Sequence, residues 1–199
     1  LANQGTCTVP QTIAAGDFYT CAFSAQVTGN AGASETDVVT AAAVDDDGTP
    51  LSANDDAVVR ITDVASSITL VKTANPTSLP EPGGLVTFTV RVNNTSLVDS
   101  LTVLTLTDDI HGNLAGQGNC AVPQTIAAGG FYTCEFSAQV TGNAGDSETD
   151  IVTADAVDDD GTPLSGNDDA TVDFTNVSPT IVVTKTANPT AVPETGGNV

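Results

Sequence analysis

FYTCEFSAQV, residues 131–140, decides how this chain is read. Tyr132, Cys134, Phe136, Ala138 and Val140 repeat every second position. A period of two sends alternate side chains to opposite faces, so the segment is predicted to be a strand with one buried face. LVTFTVRVNN (85–94) behaves the same way, with Val86, Phe88, Val90 and Val92 on one face and Thr87, Thr89 and Arg91 on the other. Five further runs surround these two: SITLVKT (67–73), LTVLTLTDD (101–109), NCAVPQTI (119–126), TDIVTADAV (149–157) and DATVDFTNV (169–177). Gly, Pro and Asn punctuate the gaps, and no segment carries a helical apolar period. Seven strands of this kind predict an all-β, immunoglobulin-like seven-stranded β-sandwich.

The same stretch occurs earlier as FYTCAFSAQV, residues 18–27. Residues 1–86 align with 114–199 without a gap, and 63 of those 86 positions are identical. The sequence is therefore read as tandem modules with a 113-residue repeat. Residues 1–66 form the C-terminal part of one module, 67–178 a complete module, and 179–199 the N-terminal strand or strands of the next. A window on a longer array is the simplest account. Its rival is a subunit that completes a neighbour by donating strands, for which the counterpart of 87–113 would still be missing.

Composition narrows the function. Lys and Arg number 4 against 25 Asp and Glu, a formal net charge of −21. Such a chain repels a phosphate backbone, so no nucleic-acid partner is expected. Hydrophobic residues make up 40%, enough for a core, and their regular alternation argues against disorder. No stretch of roughly 18 apolar residues is present to span a membrane.

The four cysteines fall as two equally spaced pairs, Cys7/Cys21 and Cys120/Cys134. Neither is CxxC and His111 is the single histidine, which disfavours a thiolate zinc site. One disulfide per module is expected, in an oxidising, extracellular compartment. Closing a loop of about 15 residues is worth on the order of 3 kcal/mol.

Negative charge is concentrated in AVDDDGTPLSGNDDATV (156–172) and its earlier copy AVDDDGTPLSANDDAVV (43–59). Each reads as a hairpin with carboxylates crowded at its tip. Counting strands alternately up and down puts this hairpin at the leading end of a module. The turns carrying Glu81, Asp108, Asp109, Asp146 and Glu148 then lie at the trailing end, so acidic loops of successive modules would face one another. Like charges at short range repel, and clusters of oxygen ligands are what Ca²⁺ selects. Ca²⁺ at the junctions is therefore the expected cofactor. The candidate ligands are Glu81, Asp108, Asp109, Asp158, Asp159, Asp160, Asp168 and Asp169, with equivalents Asp45, Asp46, Asp47, Asp55, Asp56 and Glu194. The order is not that of an EF-hand, and a solvated acidic surface is the alternative.

Further along, KTANPTSLPEPGG (72–84, returning as KTANPTAVPETGG at 185–197), VTFTV, LTDD, GQGNC, VPQTIAAGG, FYTCEFSAQVTGNAGDSETD and DDDGTPLSGNDDATV stand in that order. Together they resemble the conserved-repeat, Ig-like module of bacterial and archaeal cell-surface proteins. The resemblance covers essentially the whole chain. It implies an exported protein of structural or adhesive role and supplies no catalytic residues.

The expected function is thus a structural, extracellular, cell-surface stalk or filament, with neighbouring modules or identical subunits as partners. An adhesin binding a glycan or other surface ligand is the second expectation; it is weakened by only eight aromatic residues, most at inward positions. No enzyme activity is expected, since no nucleophile–base constellation exists. His111 in DDIHGN reads as a surface turn residue. Lys72 and its repeat Lys185 read as exposed, or paired with a carboxylate at the junction. Asn93, Asn94 and Asn176 open N-x-S/T triplets and are possible glycosylation sites.

Overall fold

The computed structural model describes residues 4–198. Among these the chain is all-β. Its strands are β1 (Ser34–Val44), β2 (Pro50–Arg60), β3 (Ile68–Asn75), β4 (Ser78–Pro80), β5 (Gly83–Asn94) and β6 (Leu101–Asp108). They continue with β7 (Gly112–Asn113), β8 (Gln124–Ile126), β9 (Phe131–Thr141), β10 (Ser147–Asp158) and β11 (Pro163–Thr175). Six of the runs expected from alternation over 67–177 become long strands, whereas of NCAVPQTI only Gln124–Ile126 is a strand, and two short strands, β4 and β7, are added.

Between Ile68 and Thr175 two sheets face each other. One has the order β3-β5-β9; the other runs β4-β11-β10-β6-β7, with β8 also paired to β6. Alternation puts one row of apolar side chains from every long strand into the space between. Val86, Phe88, Val90 and Val92 of β5 meet Cys134, Phe136 and Val140 of β9 on one side. Leu106 of β6, Val152 and Ala154 of β10 and Val172 and Phe174 of β11 close the other. Deleting a fully buried ring such as Phe88 costs about 3–5 kcal/mol, so this layer is what holds the sheets together.

One irregularity changes which residues reach that layer. The β6–β10 register shifts between Asp155 and Ala156, where Asp155 pairs with Thr105 and Ala156 with Val103. Leu104 is thus an extra, unpaired residue, a β-bulge. Because side chains alternate, the bulge turns Leu106 and Asp108 inward, where strict alternation from Leu101 and Val103 would have sent them out.

The disulfides Cys7–Cys21 and Cys120–Cys134 are both formed. Beside the second, Gly118 has a positive φ, and a Cβ there would fall onto the Glu135 carbonyl. Only glycine lets the two backbones approach this closely. Gly5 meets the Ala22 carbonyl in the same way beside the first disulfide.

The acidic hairpins are longer than expected. β10 and β11 pair from Ser147↔Asp173 to Val157↔Pro163, and β1 and β2 from Ser34↔Arg60 to Val44↔Pro50. Leu164, Gly166, Asp168, Ala170, Val172 and Phe174 share the inward side of β11, so the strand starts well before Asp168. Asp168 and Asp169 stand opposite Val152 and Ile151 in mid-sheet, and Asp55 and Asp56 opposite Val39 and Val38. From Pro163 to Asp168 is about 16 Å of strand. Only Asp158–Asp160 and Asp45–Asp47 remain at the tips.

Candidate functional site

The carboxylates singled out in the sequence do not converge. Asp158 ends β10 and is 5% exposed. Its Oδ1 accepts from the amides of Asp160 (3.2 Å) and Thr162 (2.7 Å), whereas its Oδ2 is buried without a partner. Asp45 organises the other tip alike, accepting from Asp47 (3.0 Å) and Thr49 (2.7 Å). Asp46, Asp47, Asp55 and Asp56 are exposed along that first hairpin, and Glu194 lies exposed in a turn. Glu81 accepts from the amides of Ala144 and Val177, both at 3.1 Å, so it serves to hold two loops. Asp109 caps the Ile151 amide at 2.7 Å. Leu101 at one end of β6 pairs with Asp158, and Asp108 stands at the other end. That separation is about 20 Å along the strand, so no single ion joins these two groups within one sandwich.

Asp159 and Asp160 do meet other carboxylates. They line a cleft of about 240 Å³ with Asp63, Asp99, Ile61, Val98 and the Gly29–Ala31 turn. The cleft thus joins segments on either side of β1 and β2 to the leading end of the two-sheet body. Loss of hydration first, then the charges of Asp159, Asp158, Asp63 and Asp99, push the Asp160 carboxyl upward from its ordinary range. Neither Asp63 nor Asp99 stands out in the sequence, because each is a lone acid in an apolar or Ser-rich context (ITDVASS, SLVDSL).

A second cluster brings together residues that the sequence reading keeps apart: Asp108 as a calcium ligand, Lys72 as exposed or paired at a junction, and His111 as a surface turn residue. It adds Asp150, which that reading does not name. Lys72 sits at an inward position of β3, after Ile68 and Leu70, and is 4% exposed. Its Nζ lies 2.6 Å from Asp108 Oδ2 and 2.9 Å from Asp150 Oδ1, with side-chain exposures of 0%, 0% and 1% for the three residues. Nζ also donates to the Asp150 carbonyl at 3.1 Å. The backbone amide of Lys72 donates to Asp168 Oδ2 at 2.7 Å. Phe88 and Phe136 pack around the ammonium, their ring centroids 4.8 and 5.9 Å from Nζ. Instead of an exposed lysine or a junction contact, the chain therefore has a charge at the centre of its core.

The two carboxylates differ in their support. Asp108 Oδ1 accepts from two backbone amides, Ile110 at 3.0 Å and His111 at 2.9 Å. Asp150 oxygens approach Lys72 Nζ and His111 Nε2 (3.0 Å), but neither approach has the direction of a hydrogen bond. His111 is far from a free surface turn: its imidazole packs 5.4 Å from the Phe88 ring and 5.6 Å from Phe136, centroid to centroid. Burial pushes the neighbouring Glu148 carboxyl upward, the mark of a poorly hydrated pocket. Asp108, His111 and Asp150 are close enough to share a metal ion, but the lysine ammonium already occupies the space between the carboxylates.

The signal for this cluster is present in the sequence. Lys72 breaks an apolar face at an inward position, as Lys185 does after Ile181 and Val183, and Asp150 precedes Val152, Ala154 and Ala156 on their own parity. Asp108 is hidden by the bulge.

Of the possible glycosylation sites, Asn94 has no free amide. It is 2% exposed, and its Nδ2 donates to the carbonyls of Asp99 (2.8 Å), Ile126 (3.2 Å) and Ala127 (3.1 Å). Asn93 is half-buried within β5, its side chain held by Arg91 at 2.8 Å, and Asn176 is exposed just beyond β11.

No protein-family model and no curated protein matches the chain. Among solved structures it is similar to the crystal structure of a putative ApaA protein from Bordetella pertussis, at 17% identity. The match covers 55% of this chain and 94% of that one, with a TM-score of 0.36. A likeness that distant carries no argument about fold or function. What stands is an all-β chain with several sheets and two disulfides, a combination suited to an oxidising, extracellular environment. No helix among the described residues is long and apolar enough to cross a membrane.

Proposed function

We propose that the chain is part of a structural, extracellular tandem-repeat protein of the cell surface, in which Ig-like modules stack end to end into a stalk or filament. The observation that carries this reading is the recurrence of one hairpin. All eleven residue pairings of β1 and β2 recur 113 positions later in β10 and β11, matching the spacing of the sequence repeat. The paired disulfides recur with the same 14-residue separation. Few residues separate β2 from β3, so the segment between repeats is too short to behave as a free linker.

The cleft lined by Asp63, Asp99, Asp159 and Asp160 is where a cation would act in such an array. Its donors are all oxygens, in loops, and Asp158 Oδ2 beside them lacks a partner. That donor set suits a hard divalent ion such as Ca²⁺, which would relieve repulsion at the contact and stiffen it. Asp108, Asp109, Asp168 and Asp169 are dropped from the ligand set, since their positions lie elsewhere.

Thermal unfolding with Ca²⁺ and with chelator tests the ion. A higher Tm with Ca²⁺, lost in Asp159→Asn/Asp160→Asn, supports it. An unchanged Tm returns the carboxylates to a solvated surface and leaves the structural role to the repeats alone.

A further inference from the structure

The geometry points to a covalent cross-link: we propose that Lys72 and Asp108 condense, without any enzyme or cofactor, into an amide that ties β3 of one sheet to β6 of the other. This inference stands on the two-sheet body alone and is independent of the filament and of Ca²⁺.

Four features meet at one point. First, Lys72 Nζ and Asp108 Oδ2 are 2.6 Å apart and both side chains are fully enclosed. A nucleophile and an acyl carbon held together in this way are equivalent to a very high local concentration of one around the other. Second, the surroundings disfavour separated charges. Phe88 and Phe136 flank the amine, and an ion pair enclosed by rings forfeits its hydration. Proton transfer between the partners gives an uncharged amine and acid, the forms that react. Third, two amides already point at Asp108 Oδ1, those of Ile110 and His111. They are placed to stabilise negative charge on that oxygen as the carbon becomes tetrahedral. Fourth, Asp150 is a spare carboxylate 2.9 Å from the same Nζ, and neither of its oxygens has a well-directed hydrogen bond. It is the group positioned to carry protons.

In the condensation, one ammonium proton moves to Asp108 and a second is held in transit by Asp150. The Nζ lone pair forms a bond to Asp108 Cγ, with charge collecting on Oδ1 against the two amides. The Cγ–Oδ2 bond then breaks, and Oδ2 leaves as water with the protons that came from nitrogen. Asp150 finishes as the carboxylate it was, and the net charge is unchanged. Nothing is oxidised or reduced. A metal ion is not required, and the amine stands where one would sit.

The repeat supports the assignment. Lys185 corresponds to Lys72, Asp37 to Asp150, and Phe23 to Phe136 at the same 113-residue offset. Asp37 and Lys185 are exposed, so among the described residues the reaction has one site.

The test is the intact mass of the purified full chain after reduction, alkylation and denaturation. The expected wild-type mass is one water below that of the sequence, and protease digestion yields a branched peptide joining Lys72 to Asp108. Cyclisation at Asp47-Gly48 or Asp160-Gly161 removes the same water, so the branched peptide and Lys72→Arg separate the two sources. Lys72→Arg keeps the charge but not the nucleophile, and should restore the full mass. Asp150→Asn keeps the shape and should slow the loss of water by orders of magnitude. Wild type at full mass overturns the proposal whatever the variants do, and so does a water loss that survives Lys72→Arg with no Lys72–Asp108 branched peptide in the wild-type digest.

Discussion

At the residue scale the central feature is a lysine where a hydrophobic residue would be expected. Removing one partner of a buried charge cluster is more damaging than replacing the whole cluster, because it leaves uncompensated charge in the core. Lys72→Met removes the proposed amide together with the lysine and leaves Asp108 and Asp150 as unpaired carboxylates in the core, so it is expected to lower stability by at least about 3–5 kcal/mol, read by denaturant unfolding. A loss below about 1 kcal/mol would mean that water reaches the site. Asp160 makes a prediction of opposite sign. A carboxyl whose folded-state pKa is raised contributes stability below its unfolded value and loses that contribution as pH rises through the folded one. Hence in chelator Asp160→Asn should melt higher than the parent at neutral pH. The difference should vanish once the pH falls below the ordinary value of 3.8. An Asn variant that melts lower at neutral pH would contradict the repulsion.

At the scale of elements, alternation and turn residues are enough to read the strands. Val86–Val92 and Tyr132–Val140 show their inward faces directly, because nothing interrupts their period. Two things are not readable. The acidic hairpin reads with too large a tip, because Gly166 and Asp168 look like loop residues. In the fold Gly166 lies against Leu70 and Ile68, and Asp168 takes the Lys72 amide. The bulge at Leu104 is equally hidden, since a single unpaired residue reverses the parity of the rest of its strand without changing composition. Asp108 cannot be recognised as buried until that parity is known. The disulfide, by contrast, is readable from spacing, and it closes a hairpin-like loop next to the core. Replacing Cys120 and Cys134 with Ala should cost about 3 kcal/mol if loop closure in the unfolded chain dominates, measured as the shift in ΔG of unfolding. No shift would mean the Gly118–Glu135 approach holds the loop without it.

For the whole molecule, the two sheets between Ile68 and Thr175 and the recurrence of their last hairpin rest on observed pairings. The proposed stalk, its proposed surface location and the proposed ion are argued from the repeat and from where Asp63, Asp99, Asp159 and Asp160 meet. A covalent tie between opposed sheets would suit a load-bearing role, since it prevents β3 and β6 from separating when the ends are pulled. Stacked modules are also expected to resist bending more with Ca²⁺ than without it, because the cleft draws ligands from both sides of the contact.

The most direct test of the array is small-angle scattering from a chain of three repeats, compared with one of two. Stacked modules predict a rod whose maximum dimension grows by one constant module length, with an unchanged cross-section. A chain of independently swinging domains, with a length increment well below one module and a broadened distance distribution, would contradict the account.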